Sequence, residues 1–201
     1  LQRQFLLKKF YQLTGVLPIG AFLLAHFYTK SYAAPGPEAF NQAVVLLQGY
    51  PYLRGIETLL IFLPLLFHGI YGLWVTWQGR PNPFRYPYAR NWTYTLQRVT
   101  GLILFVFIAV HVASQRFGVR ILGFNPMGKA VASHPNEAYA IAQATLAGDA
   151  ALAFNVAGVA SAVFQLARGV WMFTIDGGAR SAGAGNVTSV TPARPSAWPC
   201  S

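Results

Sequence analysis

Residues 56–77 read Ile-Glu-Thr-Leu-Leu-Ile-Phe-Leu-Pro-Leu-Leu-Phe-His-Gly-Ile-Tyr-Gly-Leu-Trp-Val-Thr-Trp, with the carboxylate of Glu57 at one edge. A helix that crosses a bilayer needs about 20 consecutive, predominantly apolar residues, and this stretch supplies them. In water Pro64 would interrupt such a helix, because its ring clashes with the preceding turn and its nitrogen donates no hydrogen bond. In a packed membrane bundle the freed carbonyl finds other partners, so the spacing predicts a kink and not an end. His68, inside the run, is an ionisable group at membrane depth, where such groups are costly enough to mark function.

Three further stretches of the same kind lie at about 11–29, 94–115 and 149–173. The expected fold is all-α, a transmembrane up-down four-helix bundle occupying residues 1–176, with a second kink at Pro18. The connection 30–55 carries Pro35, Gly36, Pro37, Gly49 and Pro51, the connection 78–93, with Gln-Gly-Arg-Pro-Asn-Pro-Phe, is a turn-rich loop, and neither reads as a second domain. Residues 177–201 are rich in Gly, Ala, Ser and Pro and read as a disordered tail.

Composition agrees: 54% of the 201 residues are hydrophobic and only 10% charged, which excludes an ordinary soluble domain. The net charge of +10 suggests a nucleic-acid partner until the basic residues are placed. They fall between and beside the apolar runs, as topology signals do, so no nucleic acid is expected. Cys200 is the one cysteine, which rules out a disulfide framework and a cysteine-rich zinc or iron–sulfur site. The first apolar run is too long for a signal peptide and lacks a small-residue cleavage pattern. Arg3, Lys8 and Lys9, then Arg80, Arg85, Arg90 and Arg98, then Arg168 and Arg180 mark one side as cytoplasmic, with the N-terminus on it. Lys30, Arg54, Arg116, Arg120 and Lys129 are spread more thinly over the outer side.

Three of the four histidines fall within the spans, and a neutral imidazole is a good haem-iron ligand. At about 1.5 Å per residue, His26 and His111 lie at one depth, roughly 5–6 Å inside the outer ends of the first and third spans. His68 lies about 18 Å in from the outer end of the second, at another level. In an up-down bundle the first and third helices are diagonal, so His26 and His111 can face each other with a flat macrocycle between them. The partner of His68 is then due from the fourth span, and the residue at that depth is Gln165, a poor iron ligand. Taken alone, His68 reads equally well as a histidine hydrogen-bonded to a neighbouring helix. Arg98 and Arg116 are candidates to pair haem propionates or to anchor helix ends. Glu57 is a candidate proton or quinone group or an interfacial carboxylate, and His134 a solvated loop residue.

Several stretches, in order, resemble the cytochrome b membrane-anchor subunit of succinate dehydrogenase and fumarate reductase, of the single-anchor, di-haem kind that uses menaquinone. They are Leu-Thr-Gly-Val-Leu-Pro-Ile-Gly-Ala-Phe-Leu-Leu-Ala-His ending at His26, Pro-Glu-Ala-Phe-Asn at 37–41, and Phe-Leu-Pro-Leu-Leu-Phe-His-Gly-Ile-Tyr-Gly around His68. The most specific is Arg-Asn-Trp-Thr-Tyr-Thr-Leu-Gln-Arg-Val-Thr-Gly at 90–101. The likeness covers about residues 5–175. It implies that His26 and His111 ligate the distal haem b and that His68 supplies one ligand of the proximal haem, whose other ligand in the family is a histidine at the position of Gln165. It also implies a bacterial inner membrane, flavoprotein and iron–sulfur partner subunits that hold the succinate chemistry, and electron transfer to the quinone.

The chain departs from the family at Gln165. It departs again after about Asp176, where the family continues into a fifth helix; a frameshifted or truncated gene product or a lineage-specific tail accounts for that change. The competing readings are the cytochrome b subunit of another membrane dehydrogenase and a haem-free membrane anchor.

Overall fold

A computed structural model describes residues 2–79, 84–85, 87–121 and 123–183. The elements are helical: α1 Gln2–Val16, α2 Pro18–Ser31, α3 Pro37–Gln48, α4 Leu53–Glu57, α5 Leu63–Gln78, α6 Ala89–Phe117, α7 Ala138–Leu146 and α8 Asp149–Gly183, with a π-helical turn at Thr58–Phe62 and a 3₁₀ turn at Pro135–Glu137. Among the described residues four stretches are long and apolar enough to cross a membrane: Leu6–Ser31, Leu53–Gln78, Ala89–Phe117 and Asp149–Thr174. Their outward faces carry Leu66, Val106 and Val163, each half exposed or more, which in an aqueous protein would be a liability and here is the lipid-facing surface.

Both prolines act as the sequence predicts. The first span breaks at Leu17, and Pro18 opens α2 at the position where its missing N–H costs nothing. In the second span the backbone widens into the π turn just ahead of Pro64, and the Leu63 N–H reaches back to the Thr58 carbonyl. Such a bulge absorbs the local disruption without ending the helix.

Side-chain pairings fix the topology. Arg98 at the start of α6 meets Thr76 at the end of α5, and Arg116 at the end of α6 meets Glu57 at the start of the second span. Gln97 and Phe107 of α6 meet Gln165 and Phe154 of α8 in reverse order, and α8 runs back along the first span with Leu166 over Gly20. The spans therefore alternate in direction and pack as a ring, each beside its neighbours in sequence, with α8 closing onto the first. The first and third spans are diagonal.

The connection 30–55 contains α3, a helix that its prolines and glycines do not announce. Phe40 and Val44, one turn apart, are buried against Ala138 at the start of α7, and the Asn41 Oδ1 accepts the Tyr139 N–H at 2.9 Å. α3, Pro135–Glu137 and α7 thus form a small packed cap over the end of the bundle that sequence assigns to the outer side. α6 ends in the left-handed Gly118, φ 70°, whose N–H bonds to Ser114 O while the Val119 N–H returns to Ala113 O. A Cβ there would lie 2.8 Å from the Ala130 nitrogen, so only glycine fits. Below it Asn125, fully buried, donates to the Ser114 and Lys129 carbonyls at 2.6 and 3.0 Å and ties the following loop to α6. At the other end α8 continues to Gly183, into the stretch read from sequence as a tail; residues 184–201 lie outside the described residues.

Candidate functional site

At the outer level α2 presents His26 and α6 presents His111, and the two rings meet across the bundle with centroids 6.0 Å apart and planes at 85°. Two imidazoles that share one metal each need a bond of about 2 Å plus roughly 1 Å from ring nitrogen to centroid, a total near 6 Å. The pair therefore fits a bis-histidine metal in its separation. Each ring is backed by an aromatic one turn earlier on its own helix, Phe22 at 5.5 Å from His26 and Phe107 at 5.3 Å from His111. Phe107 in turn lies against Phe154 and over Gly158, where a Cβ would come within 2.2 Å of the Phe107 ring. That glycine is what lets α6 and α8 approach closely behind His111.

Among the described residues no three His, Cys, Asp or Glu side chains form a metal-binding group. Haem iron brings four ligands in its own macrocycle and asks the protein only for axial ones, so a facing histidine pair is the donor set it requires. Lys30, one turn from His26 along α2, lies with its Nζ 4.9 Å over the Phe40 ring of the cap. Arg116 and Glu57, separate candidates from sequence, are each other's partner in a half-buried ion pair of 2.5 Å. His134 lies in the outer loop beside the Ala130 carbonyl and Ser133 hydroxyl, each 3.2 Å from Nδ1.

Over 179 residues, 88% of this chain and 81% of the relative, the sequence is 34% identical to the succinate dehydrogenase cytochrome b558 subunit of Bacillus subtilis (strain 168). The chain belongs to that cytochrome b subunit family. No family model matches it, and no solved structure does.

The inner level of this cytochrome b subunit is built differently. His68 of α5 packs against α1: its ring stacks on Tyr11 at 4.2 Å and 14°, and Nδ1 lies 3.1 Å from the Tyr11 carbonyl and 3.4 Å from the Thr14 hydroxyl. This is the neighbouring-helix hydrogen bond that sequence offered as the alternative for His68. With the proton on Nδ1 donated to the carbonyl, Nε2 keeps its lone pair. Gly15 makes the seat, since a Cβ there would lie 2.6 Å from His68 Cε1. Gln165 is held by another helix: its Nε2 donates to the Gln97 carbonyl at 2.5 Å and to the Thr100 hydroxyl at 3.0 Å, both on α6. One imidazole and one committed amide do not make a bis-histidine site. Arg98 donates to the Thr76 carbonyl at 2.6 Å, satisfying the last turn of α5, and lies 4.2 Å over the Tyr94 ring. Arg168, one turn beyond Gln165, has a buried Nε without a hydrogen-bond partner.

Sequence reasoning missed Tyr11, Thr14 and Gly15 because they serve His68 through a carbonyl and an empty space, neither of which has a residue signature. It missed Lys30 for another reason: the lysine was counted only as a topology charge, although its spacing of four from His26 puts both on one helix face.

Proposed function

We propose that this chain is the membrane-anchor cytochrome b subunit of a succinate:quinone oxidoreductase, carrying electrons between an iron–sulfur subunit and menaquinone through haem b ligated by His26 and His111. The observation that carries this reading is the facing of those two rings, 6.0 Å apart on diagonal spans. Membership of the cytochrome b558 subunit family supports it. When bound, the haem supplies one-electron redox chemistry, with a potential set by axial ligation, burial and nearby charge.

The chain's own part is positional. His26 and His111 would hold the haem, Phe22 and Phe107 back their two rings, and the cap of α3 and α7 covers that end of the bundle. Succinate oxidation belongs to a flavoprotein partner. The one cysteine leaves no place for an iron–sulfur cluster here, and those centres belong to a second partner. Both dock on the cytoplasmic side of a bacterial inner membrane, the side that the basic residues favour and on which the N-terminus lies.

The inner position binds no six-coordinate haem, because Gln165 is an amide engaged with Gln97 and Thr100, which leaves the Nε2 of His68 as the one imidazole donor at that level. A pyridine haemochrome assay with reduced-minus-oxidised spectra on the purified chain tests both statements. One low-spin haem b per polypeptide is expected. Two would refute the inner reading, and none from haem-replete cells would leave a haem-free anchor.

A further inference from the structure

The outer end of the bundle holds several cations, and all but one are accounted for. Arg116 pairs with Glu57 and Lys129 with Glu137, Arg120 reaches the Met127 carbonyl at 3.4 Å, and Arg54 is exposed in the last turn of α4. Lys30 is different. It is half-buried at the end of α2 beneath the cap, over the Phe40 ring, and no carboxylate among the described residues forms an ion pair with it. Of the other carboxylates, Glu38 and Asp149 sit in the first turns of α3 and α8, and Asp176 lies in α8 27 positions beyond Asp149, toward the opposite end of the bundle. A buried ammonium without a counter-ion is costly, and a ring face compensates only part of that cost. This one stands about 6 Å along the helix axis from His26.

We infer that Lys30 is the counter-ion for a carboxylate of the tetrapyrrole held between His26 and His111, and so sets both the retention and the potential of that group. The inference rests on the proposed haem reading. A haem b carries two carboxylates, which in an apolar interior must reach a cation or water. Arg116, the other cation near the outer pair, already has its partner in Glu57. Lys30 positions the cofactor by its edge while the histidines hold it by its centre.

The full chain, purified in detergent, is loaded with haem b or with haem b dimethyl ester, whose carboxylates are masked. Haem loss to an excess of apomyoglobin is then timed for the unmodified chain, Lys30→Met and Lys30→Arg. A charge-assisted pair of this kind corresponds to ~10-fold or more in dissociation rate. Lys30→Met should therefore release native haem ~10-fold faster, and Lys30→Arg should restore most of the retention. With the dimethyl ester, the unmodified chain and Lys30→Met should lose haem at one rate. The midpoint potential of native haem should fall in Lys30→Met, because a cation that favours the reduced form has gone. Equal retention of native haem in Lys30→Met and the unmodified chain would overturn the inference, as would the same acceleration with native and esterified haem. His26→Ala, run alongside, separates the two levels of failure: if it keeps its low-spin haem the site itself is misassigned, and if it loses haem while Lys30→Met does not, only Lys30 is.

Discussion

Replacing Gln165 by histidine should add a second haem. The amide is held by two hydrogen bonds from Nε2, to the Gln97 carbonyl and to the Thr100 hydroxyl. Each contributes about 1 kcal/mol net. Neither acceptor is stranded by their loss, since Gln97 O belongs to the α6 ladder and Thr100 also donates to Leu96 O at 2.8 Å. The cost is therefore about 2 kcal/mol and not the larger penalty of an orphaned buried group, which a fold stable by ~5–15 kcal/mol survives. That figure is also about a 30-fold bias that ligation has to exceed. On the other side His68 already has Nδ1 committed to the Tyr11 carbonyl and Nε2 available. The assay is haem per polypeptide by pyridine haemochrome, with low-temperature spin-state spectra to count bis-imidazole centres. One low-spin haem before the substitution and two after it are expected. A folded Gln165→His chain that still binds a single haem would refute the reasoning, because it would show that the inner level lacks more than a ligand.

At the outer level His26→Ala and His111→Ala should each abolish the low-spin haem, read as loss of its α band in reduced-minus-oxidised spectra, while helix content by circular dichroism stays unchanged. Gly158→Ala should lower the thermal midpoint by the equivalent of about 1–3 kcal/mol, since its Cβ would overlap the Phe107 ring, and should disturb the outer haem spectrum through His111. Glu57→Gln leaves Arg116 half-buried and unpaired; about 1–3 kcal/mol of destabilisation is expected, and adding Arg116→Gln should recover part of it in a double-mutant cycle. In the outer loop, the hydrogen bond from Lys129 holds the Glu137 carboxyl below its ordinary value of 4.5. A lowered folded-state value means a contribution present above the unfolded value and lost as pH falls through the folded one. Amide-exchange protection over 129–137, taken relative to the intrinsic rate at each pH, should therefore fall on acidification below about 4.5, and in Lys129→Met that fall should be absent.

The four spans and the diagonal placement of His26 and His111 were legible because bilayer thickness converts directly into sequence length, and depth into residue number. The kinks were legible because proline leaves one backbone partner missing wherever it stands. α3 was not, although Phe40, Ala43, Val44 and Leu47 follow helical spacing: the prolines and glycines around it are turn signals in isolation, and Pro37 turned out to begin a helix. Its burial is tertiary, against Ala138 nearly a hundred residues away. The pairing of Arg116 with Glu57 was hidden for a similar reason, since two charges at opposite ends of successive spans become neighbours only once those spans are antiparallel.

The inner level differs from the outer in how its polar groups are satisfied. In lipid an unpaired polar group is costly, so a side chain that loses one partner must find another inside the bundle. Had His68 and Gln165 faced each other across an empty centre, the packing of all four spans would depend on whatever filled it. Each instead closes onto an adjacent helix, His68 onto α1 through Tyr11 and Thr14, and Gln165 onto α6 through Gln97 and Thr100. The layer therefore holds the ring of helices together by neighbour-to-neighbour bonds and needs no central group to do so. At the outer level the His26 and His111 rings lie 6.0 Å apart across the diagonal, a separation that suits a shared metal and that neighbour-to-neighbour bonding does not call for. The difference between glutamine and histidine at position 165 is on this reading a change of partner, compatible with a bundle that folds fully around a single haem.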